Sequence, residues 1–282
     1  PNWEKQEERV TADAMSKDAP IGRFDSGIGG LTIAKALLQR LPMESLCYVG
    51  DTAHMPYGDK SPERLKAYAV GIAQRLLDRG CKALVVACNS ASSNALDEVR
   101  DLVGPDIPVI DVVQPVVDAA SLHHPHGELA LIGTRATVQS GLYERLLSAQ
   151  GLTVTSRATP LLAGAIEEGF HNGTISSAVV EAYFADGWAA DKDALLLACT
   201  HYPLVVDEIC ALLPRRVAVL DAPGIVAERV ASVLEARKAL SSSTAPTRQF
   251  EVTDWTQSFA DGAAHILGTS VDLVEAVSYT HL

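Results

Sequence analysis

Ala83-Leu84-Val85-Val86-Ala87-Cys88-Asn89-Ser90 is repeated in kind by Ala194-Leu195-Leu196-Leu197-Ala198-Cys199-Thr200-His201, and Cys199 stands 111 positions after Cys88. In both phrases an apolar run of buried-strand length ends in alanine and cysteine. Small polar residues follow, of the kind that open a helix. Two thiols in equivalent settings predict a site between two similar lobes, with a sulfur on either side. Chemistry that needs one acid/base group on each face of a substrate is stereoinversion at carbon.

Working outward, strand and helix signals alternate, which predicts parallel βα units and an α/β fold. The first lobe reads as strands at 21–24, 46–49, 83–88 and 109–113, with helices at 31–41, 61–79 and 89–102. The second reads as strands at 129–132, 152–155, 194–199 and 217–220, with helices at 138–150 and 176–189. A helix at 225–240 leads back to the first lobe, and a strand at 250–252 and a helix at 258–267 close the pattern. The expected division is a polar N-terminal extension at 1–20, a first lobe of 21–113 plus 224–282, and a second lobe of 114–223. Residues 52–59, with Pro56 and Gly58, read as an exposed loop. In parallel sheets ligands sit at the carboxyl ends of strands. Asp25, Asp51, Cys88, Thr134 and Cys199 all fall at such ends.

The formal net charge of -12 argues against broad nucleic-acid binding and against an anionic membrane surface. No apolar run has the length of a membrane span. Residues 1–20 lack the apolar stretch of a signal peptide, and Met15 reads as a start, with 1–14 as an extension. The five cysteines are an odd number at scattered spacings, with no CxxC pair. This predicts neither a disulfide framework nor a zinc site, and suits a reducing cytoplasm.

Cys47, Cys81 and Cys210 read as small buried hydrophobes. Cys88 and Cys199 read differently, because a thiol at a helix start faces N–H donors and the positive end of the dipole, which favour thiolate. Asn89, Ser90 and Thr200 either cap helices or offer neutral donors to carboxylates, and the two roles are compatible. His201, two residues from Cys199, can orient that thiol or share its proton. His123, His124 and His126 read as a solvated loop rather than a metal site. Asp25-Ser26-Gly27-Ile28-Gly29-Gly30 imitates a dinucleotide loop, but Thr32 stands where the third glycine belongs and Asp25 would repel a pyrophosphate. The alternative reading puts Asp25 near a reacting centre, with Ser26 and the glycines letting backbone approach a small polar ligand.

Phe24-Asp25-Ser26-Gly27, Gly50-Asp51-Thr52-Ala53 with Pro56-Tyr57-Gly58, Ala87-Cys88-Asn89-Ser90 and Cys199-Thr200-His201-Tyr202-Pro203-Leu204 together resemble the bacterial glutamate racemases. The resemblance runs from about Ile21 to Leu267. It implies two α/β lobes in pseudo-twofold relation with the active site between them, and interconversion of L- and D-glutamate for peptidoglycan without a cofactor or metal. It implies a cytoplasmic homodimer. It makes Cys88 and Cys199 the acid/base thiols, Asp25 and His201 their assistants, and Glu167 a further assisting carboxylate. Asp25, Ser26, Tyr57, Gly58, Asn89, Ser90, Thr200 and His201 are implied to touch substrate. Five positions depart from the family pattern. Ser90 stands in place of a more usual Thr, Gly164 in place of a frequent Pro, and Ala222-Pro223 in place of Ser-Gly after Asp221. Arg23 lies in a first strand that is normally apolar, where a buried charge is costly. The alternatives from other classes are an aspartate racemase, a noncatalytic amino-acid-binding protein, and a thiol hydrolase built on Cys199 and His201.

Overall fold

The computed structural model describes residues 16–276. Most of the expected N-terminal extension and the last residues, 278–282, lie outside them. The chain runs β1 (Ile21–Asp25), α1 (Gly30–Arg40), β2 (Leu46–Gly50), α2 (Pro62–Asp78), β3 (Ala83–Val86), α3 (Asn89–Asn94), α4 (Leu96–Val103), β4 (Val109–Asp111) and α5 (Gln114–His123). It continues through β5 (Glu128–Gly133), α6 (Arg135–Gln139), α7 (Leu142–Ala149), β6 (Thr153–Ala158), α8 (Pro160–Glu167), α9 (Thr174–Phe184), β7 (Ala194–Ala198), α10 (Val206–Leu212) and β8 (Ala218–Leu220). It closes with α11 (Ala222–Ala236), β9 (Arg248–Val252), α12 (Gln257–Leu267) and β10 (Leu273–Glu275).

The strands form two parallel sheets, ordered β10-β9-β2-β1-β3-β4 and β6-β5-β7-β8, so the fold is α/β as the alternation predicts. β1, β2, β3 and β7 are buried along their whole length, because helices cover both faces. That is why β2, β3 and β7 read as unbroken apolar runs rather than alternations, whereas β1 carries the buried Arg23 and Asp25. In each sheet the chain leaves one strand, adds its neighbour on one side, then crosses to the other side. Those switch points lie between β1 and β3 and between β5 and β7. Crevices open at the carboxyl ends of such strand pairs. Cys88 follows β3 and Cys199 follows β7, so both repeated phrases end at a switch point.

One apolar core joins the sheets. Ile33 and Leu37 of α1, Val116 and Val117 of α5, Leu129 and Leu131 of β5, and Val226 and Val230 of α11 belong to a single buried cluster. Burying each such side chain is worth about 1.5–3 kcal/mol. α11 thus carries the chain back to α1, as expected.

Several elements differ from the sequence reading. The helix expected over 89–102 breaks at Ala95, whose φ of -135° leaves the helical region. The helix expected over 138–150 is two, separated by Gly141 at φ +62°. The sequence reading assigns no element to α5 and α10, although Pro115 in the first turn of one and Asp207 and Glu208 in the first turn of the other are helix-start signals. His123 therefore ends a helix rather than lying in a loop. Residues 52–59 are not an exposed loop. They form two 3₁₀ turns, and the Tyr57 ring is buried beside Tyr68. Cys47 and Cys81 are buried, but Cys210 is exposed near the end of α10.

Candidate active site

The carboxyl ends of β1, β3, β5 and β7 converge on a cleft of about 380 Å³. Cys88 and Cys199 both line it, each only 5% exposed. The other nine candidate residues line it too: Asp25, Ser26, Tyr57, Gly58, Asn89, Ser90, Glu167, Thr200 and His201.

The surroundings of the two sulfurs differ. Cys88 precedes the short α3 and feels the charge of the Asp25 carboxyl. Burial first, and then the Asp25 charge, push the Cys88 thiol well above its ordinary range. This overturns the expectation that the helix start would favour thiolate there. The Ala91 N–H does pull the other way, but one donor does not offset loss of water and a neighbouring carboxylate. Asp25 is fully buried at the end of β1. Burial raises its pKa, and His201, Cys88, the Ser26 N–H and Thr200 hold it partly back. The Ser26 N–H donates at 2.8 Å, and the Thr200 hydroxyl donates across the cleft at 2.9 Å.

Cys199 is followed by a turn and a 3₁₀ segment rather than an α-helix, so it has a different partner. Its Sγ lies 3.6 Å from His201 Nδ1, and His201 Nε2 lies 2.5 Å from Glu167 Oε2. Burial alone would depress the His201 pKa. The hydrogen bonds to Cys199 and Glu167, with their charges, more than reverse this and raise it well above the ordinary 6.5. Glu167, at the end of α8, also accepts the Ile28 N–H on both oxygens at 3.1 Å. The first sheet's glycine loop therefore grips the second sheet's carboxylate.

The glycines also make room for side chains. A Cβ on Gly27 would meet Glu167 Oε2 at 2.4 Å, and one on Gly29 would meet His201 Nδ1 at 2.4 Å and Thr200 Oγ1 at 2.5 Å. A Cβ on Gly58 would meet Thr134 at 2.7 Å. At these positions the missing side chain lets the two sheets' residues approach closely.

The polar lining contains residues the motifs did not single out. The Ser90 hydroxyl is 2.8 Å from that of Thr134, which caps α6 and reaches Thr137 at 3.0 Å. A Thr at a strand end with a second Thr three residues on is a legible helix start, but its pairing with Ser90 is not. Asn89 Oδ1 accepts the Tyr143 hydroxyl at 2.8 Å, while its buried Nδ2 has no partner and remains a free donor at the cleft. At the mouth, Arg135 bridges to Asp59 at 2.7 Å. Asp51, though at a strand end, does not line the cleft. It accepts from Tyr57, His54 and Thr253 and holds the 52–59 segment in place.

Comparison with known proteins agrees with this geometry. Residues 32–230 match the model of the Asp/Glu/Hydantoin racemase family. A glutamate racemase of Corynebacterium diphtheriae is 38% identical over 260 residues, covering 92% of this chain and 97% of its own. The glutamate racemase of Thermus thermophilus, solved with beta-chloro-D-alanine, superposes with a TM-score of 0.85 at 40% identity, covering 95% of this chain and all of its own. That of Francisella tularensis, solved with D-glutamate, gives 0.86 at 34% identity, covering 93% and 98%. With paired cysteines at two switch points and this likeness along nearly its whole length, the chain belongs to the Asp/Glu/Hydantoin racemase family.

Proposed function

We propose that this chain is a cofactor-independent glutamate racemase in which Cys88 and Cys199 transfer the α-proton from opposite sides of the substrate. The observation that carries the reading is the pair of buried thiols facing one cleft, each with its own ionisable partner. Its relatives at 34–40% identity are glutamate racemases, which favours glutamate over aspartate.

An α-proton beside a carboxylate is hard to remove, so the site must stabilise the developing charge. The cleft lining holds no lysine for a Schiff base among the described residues. It offers neutral polar groups instead: the unpartnered Asn89 Nδ2 and the hydroxyls of Ser90, Thr134 and Thr200. Those suit the two carboxylates of glutamate. By the family resemblance, Cys199 takes the proton from L-glutamate and Cys88 donates to the other face; the roles reverse for D-glutamate. Cys88, held as a thiol by burial and Asp25, suits the donor role. His201, held protonated against Cys199, can balance the charge of a thiolate there. In the bacterial cytoplasm, a homodimer of this chain would supply D-glutamate for peptidoglycan.

The test is incubation with each glutamate enantiomer in deuterium oxide, without cofactor. Racemisation with deuterium entering Cα is the expected result. Folded protein that exchanges aspartate and not glutamate would move the reading to an aspartate racemase. No exchange with either would end it.

A further inference from the structure

We propose that Arg23 is a positioning residue for this reaction, a buried cation behind the cleft that acts through the ring of Tyr48 and the carboxylate of Asp25. Arg23 stands two residues before Asp25 on β1, so both side chains point to the same face of the sheet. It is fully buried, and none of its three guanidinium nitrogens has a hydrogen-bond partner. A desolvated, unpaired charge destabilises a fold by several kcal/mol unless something nearby compensates it. Two features do so here. Tyr48 lies directly opposite Arg23 in the β1–β2 register, and the guanidinium carbon sits 4.7 Å from the centre of its ring. The Asp25 charge also acts on it. Burial lowers the Arg23 pKa only to about 10, so it remains a cation at neutral pH.

From Arg23 a short chain of contacts leads to both halves of the cleft. The Tyr48 hydroxyl donates to the Gly27 carbonyl at 2.6 Å. The next residue, Ile28, donates its N–H to Glu167, which holds His201 against Cys199. On the other side, the charges of Arg23 and Asp25 act on one another and Asp25 acts on Cys88, with His201 the larger positive charge at Asp25. The titratable groups around Arg23 and Asp25 are Tyr48, Cys47, Cys88, Glu167, His201 and Cys199, and Arg23 alone is a permanent cation among them. An apolar residue at 23 would remove that contribution and leave His201 as the counter-charge of Asp25.

This inference rests on the racemase reading, and the test separates the two. Arg23→Met keeps the volume and removes the charge; Arg23→Gln does the same with a polar end, should the first not fold. The full chain is assayed for α-deuterium exchange across pH, beside its melting temperature. Loss of the cation should move the acid limb of kcat/KM to higher pH, with melting unchanged or higher. Arg23→Lys should return the limb to its wild-type place. A folded neutral variant with the wild-type pH profile would overturn the role of Arg23 alone. Wild-type protein that exchanges no α-proton would overturn the racemase reading and this role with it.

Discussion

The two halves of the cleft are written in nearly the same sequence and are chemically unlike. Cys88 meets a buried carboxyl and is held as a thiol; Cys199 meets an imidazole that Glu167 keeps protonated. The repeated phrase sets where a sulfur sits, at the end of a central parallel strand. What the sulfur does is set by a residue from elsewhere in the chain. Asp25 comes from β1, and Glu167 arrives from α8 through the glycine loop that follows β1. A two-base mechanism needs one thiol protonated and the other ionised at a given moment, and unlike partners bias that state while leaving the roles free to exchange for the other enantiomer.

The sharpest way to break the comparison is to remove each sulfur. Cys88→Ala and Cys199→Ala should each lower racemisation by at least about 10³-fold. Cys→Ser variants should exchange the α-proton of one enantiomer faster than that of the other, with opposite preference in the two variants. Equal loss from both enantiomers in both variants would mean the halves are not specialised.

The next effect is smaller and one-sided. Glu167→Gln should slow exchange from L-glutamate by roughly 10²-fold, and more than exchange from D-glutamate, because it strips the relay from Cys199 only. Asp25→Asn should impair the Cys88 half by a similar factor while raising the melting temperature at neutral pH. The sign follows from linkage: a carboxyl whose pKa is raised by burial binds its proton more tightly in the folded state, so folding loses stability as pH rises above its ordinary 3.8. Asn carries no charge and escapes that loss.

His201 gives the same sign in a higher pH window. Its folded-state pKa lies above 6.5, so its contribution is full below that value and disappears as pH rises through the folded-state value. Melting temperature measured from about pH 6 to pH 10 should fall over that window, and fall less steeply in Glu167→Gln. An unchanged slope would show that Glu167 does not hold the proton on His201.

The smallest effects compare two glycines at the same cleft. Gly27→Ala forces a contact of 2.4 Å on Glu167 and should cost activity in the Cys199 half. Gly164, inside α8, has nothing within 4 Å of an added Cβ. Gly164→Ala should raise stability by about 0.5–1 kcal/mol with exchange unchanged. Equal activity of the two variants would show that close approach at Gly27 does not position the carboxylate.

Much of the molecule was legible because its signals are local. The apolar runs of β3, β5 and β7 gave the parallel sheets, and the phrases after β3 and β7 gave the two sulfurs. Helix breaks at Ala95 and Gly141 were not legible, because nothing apolar interrupts the pattern there. Tyr57 was misplaced for a related reason. Pro and Gly around it signal a turn, while its burial depends on Asp51 and Tyr68.

The sequence by itself determined which strands would be buried, where the two thiols would stand, and that small neutral donors would surround them. Each of these follows from residues within a few positions of one another. Only the tertiary structure decided which charge each thiol meets, that the loop glycines make room for Glu167 and His201, and that Arg23 lies against Tyr48 behind Asp25. Those contacts join residues up to 175 positions apart, as Thr200 and Asp25 are. Ionisation in a buried site depends on distance, desolvation and the sign of the nearest charge, and none of these is carried by spacing along the chain.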